Sequence, residues 1–133
     1  NNDGTTNGNT AHLFNNPAGL TNTAVLDGFV LTGGSTNDNG GGMINVNSSP
    51  TIRNCWFESN RASRGGAIDN TESSNPLLVN CVFARNRASE GGAIYNRASS
   101  PTLINTVFRS NSSSNGGALF NDTSNPGLTN CLF

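Results

Sequence analysis

At 133 residues the chain forms one domain at most, with 33% apolar and only 11% charged residues. A formal net charge of -1 gives no electrostatic case for nucleic acid or an anionic membrane, and so little charge is unlike an ordinary disordered segment. No apolar run approaches the roughly 18 residues of a spanning helix, so no membrane insertion by this chain is expected. The opening residues carry no basic stretch followed by an apolar one, and any export signal is expected to lie outside the chain.

Residues 1–22 read as an irregular first coil of a single domain, and residues 23–133 as regular repeats. The first regular segment is Leu26-Asp-Gly-Phe-Val-Leu31. It is followed by four near-copies that open on a proline: Pro50-Thr-Ile-Arg-Asn-Cys-Trp-Phe57, Pro76-Leu-Leu-Val-Asn-Cys-Val-Phe83, Pro101-Thr-Leu-Ile-Asn-Thr-Val-Phe108 and Pro126-Gly-Leu-Thr-Asn-Cys-Leu-Phe133. Between them recur Gly40-Gly-Gly-Met-Ile-Asn45, Gly65-Gly-Ala-Ile-Asp-Asn70, Gly91-Gly-Ala-Ile-Tyr-Asn96 and Gly116-Gly-Ala-Leu-Phe-Asn121. A repeat of this length, about 25 residues, means a solenoid whose coils bury their apolar faces on one another. Apolar residues do not recur at helical spacing, whereas β-branched and aromatic residues cluster in short alternating runs. The fold class is therefore all-β: a parallel β-helix of about five coils, three short strands to a coil.

Alternation assigns the inside. Ile52, Cys55 and Phe57 point in, Arg53 and Trp56 point out, and Asn54 turns the chain between them. The inward columns are Leu26/Ile52/Leu78/Leu103/Leu128, Phe29/Cys55/Cys81/Thr106/Cys131, Leu31/Phe57/Phe83/Phe108/Phe133 and Leu13/Met43/Ile68/Ile94/Leu119. Gly28 replaces the Asn of later coils at Asn54, and Gly34 replaces Asn60, Asn86 and Asn111. Gly and Asn enter left-handed backbone most cheaply, so both positions are expected at positive φ. Two asparagine ladders follow, Asn54/Asn80/Asn105/Asn130 and Asn15/Asn45/Asn70/Asn96/Asn121, in which stacked amides satisfy one another at corners.

Phe57-Glu-Ser-Asn60, Phe83-Ala-Arg-Asn86 and Phe108-Arg-Ser-Asn111 form an F-x-x-N repeat, with the Gly-Gly-Ala-Ile/Leu segments as its companion. Together they resemble the repeats of chlamydial polymorphic outer-membrane proteins and related bacterial surface proteins, from about residue 12 to residue 133. The resemblance implies a right-handed β-helix of the pectin-lyase-like kind, exported to an extracellular or cell-surface location. It does not imply an enzyme, because the repeats carry no catalytic residues in that family.

The residues agree. Carbohydrate chemistry on such a scaffold wants converging carboxylates or a calcium cage with a basic residue. The acids here scatter: Asp69 stacks with Ile44, Tyr95 and Phe120, Asp27 stacks on Arg53, and Glu58 stacks on Ala84 and Arg109. His12 has no nucleophile or acid partner in the pattern. Asn2-Asp3-Gly4 and Asn37-Asp38-Asn39-Gly40 lack the spacing of calcium loops and read as turns. The three cysteines lack zinc spacing; Cys55 and Cys81 lie on adjacent coils, within reach of a disulfide but of open geometry. No catalytic residue, cofactor or metal site is assigned.

Outward residues suggest contacts instead. Val30, Trp56, Val82, Val107 and Leu132 form an apolar stripe along the axis, and Phe14, Ile44, Tyr95 and Phe120 form another outward column. Five coils amount to a whole number of turns with no evident cap, a stack of roughly 24 Å at about 4.8 Å per strand. The expected function is a structural repeat domain that self-associates by end-to-end coil stacking into a fibre or rigid stalk, the alternative for its open ends being a segment of a longer β-helix. Val30, Trp56, Val82, Val107, Leu132, Tyr95 and Phe120 are the candidate residues for lateral association, the alternative there being cover by another part of the polypeptide. The alternative is an adhesin or glycan-binding module using outer positions such as Tyr95 with Arg97. A third reading is the non-catalytic part of a longer carbohydrate-active β-helix enzyme.

Overall fold

The computed structural model describes residues 12–133, and these wind as a β-solenoid without helix. The first turn carries β1 (Phe14–Asn16), β2 (Val25–Asp27) and β3 (Val30–Thr32). The second carries β4 (Met43–Val46), β5 (Thr51–Arg53) and β6 (Trp56–Glu58), and the third β7 (Ile68–Thr71), β8 (Leu77–Val79) and β9 (Val82–Ala84). The fourth has β10 (Ile94–Arg97), β11 (Thr102–Ile104) and β12 (Val107–Arg109); a fifth is built by β13 (Leu119–Asp122), β14 (Gly127–Thr129) and a bridge from Val107 to Leu132. Every pairing is parallel, giving three sheets that run along the axis: β1-β4-β7-β10-β13, β2-β5-β8-β11-β14 and β3-β6-β9-β12. Three-residue strands cannot persist alone; they exist here because each is paired to the same segment one turn away.

The core is the set of stacked inward columns. Ile52, Leu78 and Leu103 are fully buried in one, and Met43, Ile68 and Ile94 in another. Phe57, Phe83, Phe108 and Phe133 stack ring on ring, with centroids 4.9, 5.0 and 4.8 Å apart. That spacing is the strand spacing itself, so in-register aromatic residues stack face to face with an offset. Each fully buried Phe or Leu contributes roughly 1.5–3 kcal/mol. The tight turn between the second and third sheets has φ of 75° at Gly28 and 53° at Asn54 and Asn80, as the Gly/Asn exchange requires.

Three expectations need correction. In the first turn Phe14, not Leu13, pairs with Met43, and Asn16, not Asn15, pairs with Asn45. Leu13 is correspondingly exposed, while Phe14 packs against the core. The second Gly/Asn exchange has a different cause: positive φ falls one residue earlier, at Gly33, Ser59, Arg85 and Ser110. Gly34 is glycine because a Cβ there would collide with the carbonyl oxygen of Gly41. Phe29 keeps its register, its carbonyl accepting from the Trp56 amide at 2.8 Å, but its ring is largely exposed in the first turn. Asn2-Asp3-Gly4 lies outside the described residues. No helix of the described residues is long and apolar enough to cross a membrane.

Candidate functional site

The asparagine ladders form as amide chains. Inside, Asn16, Asn45, Asn70 and Asn96 each donate a side-chain N–H to the next asparagine toward the C-terminus, at 2.7 to 2.9 Å, ending on Asn121. Outside, the direction reverses: Asn130, Asn105 and Asn80 donate toward the N-terminus at 3.1 to 3.3 Å, ending where Asn54 donates to Asp27 at 2.8 Å. Asn60 and Asn86 make a third ladder. The Oδ1 of Asn86 accepts from both the backbone and the side chain of Asn60, at 3.1 Å each, and Asn60 also donates to the Leu31 carbonyl. A serine ladder was not anticipated: Ser48, Ser74 and Ser99 each donate a backbone N–H to the hydroxyl of the next serine, ending on Ser124. Its signal was legible as a serine two places before every repeat proline. The inner asparagine ladder and the Asn60–Asn86 ladder satisfy amides that burial would otherwise strand, whereas the Asn54–Asn130 ladder runs along the exposed surface.

The cysteines are free thiols. The Cys55 thiol donates to the Arg53 carbonyl at 3.1 Å, and that of Cys81 to the Ile52 and Val79 carbonyls. Burial pushes the Cys81 thiol up to about 11, so it is an inert proton donor rather than a nucleophile.

Among the acids, Asp27 pairs with Arg53 at 2.9 Å, Glu58 with Arg85, and Asp122 with Arg97 at 3.8 Å. The Asn54 amide and Arg53 hold the Asp27 carboxyl below its ordinary range. His12 donates from Nδ1 to the Gly40 carbonyl at 2.9 Å when the proton is on that nitrogen. No group of three or more metal-ligating side chains occurs among the described residues.

Asp69 is the exception in this distribution. Its neighbours Ile68 and Asn70 point inward, so its side chain lies on the outer face of the first sheet, between Ile44 and Tyr95. Even so it is fully buried, and neither carboxylate oxygen has a hydrogen-bond partner among the described residues. Arg64 lies close by, its guanidinium 5.0 Å from the Tyr95 ring centre and its Nε donating to Asn39 Oδ1 at 2.9 Å. Tyr95, expected as an outward contact residue, is only 4% exposed and stacks on Phe120 at 5.4 Å. Beside this cluster is a cleft of about 380 Å³ lined by Arg64, Thr71, Glu72, Arg97 and Ala98.

The lateral stripe is graded. Val30 and Leu132 are 63% and 64% exposed, whereas Trp56 is 37% exposed beneath Arg109, whose guanidinium sits 5.1 Å from its ring centre. Val82 and Val107 are half-buried. The stripe and the Tyr95–Phe120 pair lie on different sheets, so the structure does not unite them into one patch.

A search of curated proteins and a search of solved structures each found no match. One family does match: the Chlamydia polymorphic membrane protein (Chlamydia_PMP) repeat is found twice in the chain, at residues 80–97 and 105–122, each copy running from the Cys81 or Thr106 corner of one turn through the Gly-Gly-Ala strand of the next.

Proposed function

We propose that this chain is a non-enzymatic structural repeat domain of a bacterial surface protein, built to extend by laying one coil on the next and to self-associate in the same way. The observation that carries this reading is the in-register repetition of the same columns from turn to turn: Ile52, Leu78 and Leu103 pair directly, the Phe57, Phe83 and Phe108 rings stack, and the asparagine amides chain along the axis. A further coil, from the same polypeptide or from a second copy, would continue the leucine, phenylalanine and asparagine columns in register. The repeat family supports association with the outer membrane or cell surface. The pairing of Asp27, Glu58 and Asp122 with arginines favours a structural role over hydrolysis.

Sedimentation across a concentration series, with electron microscopy of the same samples, tests self-association. Mass that grows with concentration and resists salt is expected, and Leu128→Asp should abolish the growth. A wild-type chain that stays monomeric at every concentration would remove self-association from the proposal.

A second reading, an adhesin or glycan-binding module, is favoured by two outer recesses. One is the Arg64–Arg97 cleft; the other is a groove of about 630 Å³ lined by Gly19, Leu20, Thr21, Asn22, Asn47, Ser49, Asn75, Leu77 and Thr102. Amides and hydroxyls line the second, as sugar recognition needs. Saturable glycan binding lost on Asn75→Ala or Arg97→Ala would move the assignment to this reading.

A further inference from the structure

The Asp69 cluster is not explained by coil stacking. A carboxyl buried without a donor is costly, and the columns around it would pack equally well around an apolar side chain. The guanidinium of Arg64 is the nearest means of relief. It lies over Tyr95, and Tyr95 is paired in register with Asp69, one strand spacing away. Arg64 can therefore lie over Tyr95 or reach Asp69, and in this structure it lies over Tyr95.

We propose that Arg64 is a pH-governed cover on the Tyr95–Phe120 face, lying over Tyr95 while Asp69 is neutral and moving onto Asp69 once that carboxyl ionises. The charged groups that face Asp69 are few. Arg64 approaches from the turn before its own strand, Arg97 from β10 and Asp38 from the preceding turn; its in-register neighbours Ile44 and Tyr95 bring neither carboxylate nor cation. Burial is the dominant influence and moves the carboxyl to about 7, so the neutral form persists into mildly acidic solution. Ionisation would give Arg64 a buried partner in place of a ring, because a charge-assisted pair outweighs a cation–π contact. The movement would uncover an aromatic face beside the Arg64–Arg97 cleft. The proposal is independent of whether coils stack.

The test follows three nuclei of the full chain by NMR from about pH 5 to about pH 9: the Asp69 carboxyl carbon, the Arg64 Nε–H and the Tyr95 ring protons. One shared midpoint near 7 is expected, with the Tyr95 ring losing its guanidinium-induced shift as the pH rises. Asp69→Asn should abolish the Arg64 and Tyr95 movements. His12→Gln, which removes the single histidine, should leave them unchanged. An Asp69 midpoint in the ordinary carboxylate range overturns the proposal. So does an Arg64 or Tyr95 signal that stays fixed while Asp69 titrates. The wild-type titration decides this by itself even if Asp69→Asn fails to fold.

Discussion

Burial raises the Asp69 carboxyl from 3.8 to about 7, because desolvation outweighs the attraction of Arg64 and Arg97 and the nearby charge of Asp38 adds to it. The folded chain thus holds this proton more tightly than the unfolded chain. Its contribution to stability is fully present below about 3.8, is lost as the pH rises toward about 7, and stays absent above. Asp27 acts in the opposite sense: its lowered carboxyl contributes only above its ordinary range, and weakly, because the pair is exposed. Comparing urea unfolding of wild type and Asp69→Asn should show a stability difference that widens in favour of the variant between pH 4 and pH 7, values set by those two limits. A difference that is constant with pH would mean Asp69 does not titrate in that window.

At the scale of the element, the glycine pairs decide how closely coils approach. A Cβ on Gly66 would run into the carbonyl of Gly92 and the backbone of Arg87, which are the ladder atoms of the next turn. No side chain can rotate away to relieve that, so the two turns would have to separate. Gly66→Ala should cost at least about 1–3 kcal/mol in denaturant unfolding. Gly127 is the internal control. Its Cβ would meet only the Thr102 side chain, at 3.8 Å, and Gly127→Ala should stay within about 0.5 kcal/mol of wild type. Equal effects at the two positions would refute the close-approach explanation.

Across the whole molecule, the strands of each turn pair only with those of the turns beside it, so stability is largely a sum of coil terms and interface terms, with the reach of Arg109 over Trp56 two turns away as an added contact. The middle turns have partners on both sides: Ile68, Leu78, Phe83 and Ile94 are fully buried there, while every residue of β14 is exposed. Hydrogen exchange should therefore be slowest for the amides of Ala67, Ile68, Ala93 and Ile94, which donate to the next turn at 2.9 to 3.0 Å, and fastest in β14. Association through the fifth turn would slow exchange in β14 at high concentration without changing it in β8. Uniform protection along the axis would show instead that the solenoid unfolds as one unit.

Repetition made the sequence legible wherever a position recurs. Columns such as Ile52/Leu78/Leu103, the positive φ at Asn54, the outer asparagine ladder and the inner one from Asn45 onward were readable because neighbouring copies occupy equivalent environments. The first turn was misaligned by one residue at Leu13 and Phe14, since it lacks the Gly-Gly-Ala segment that fixes phase elsewhere. Gly34 was misread because collision with a carbonyl and positive φ both select glycine, and only three-dimensional proximity separates them. The strand pattern placed Asp69 and Tyr95 correctly on the outer face, where the sequence implied exposure. Their burial was decided by tertiary structure alone: Arg64 covers Tyr95, a long side chain from one turn lying over its neighbour at a position that no periodicity encodes.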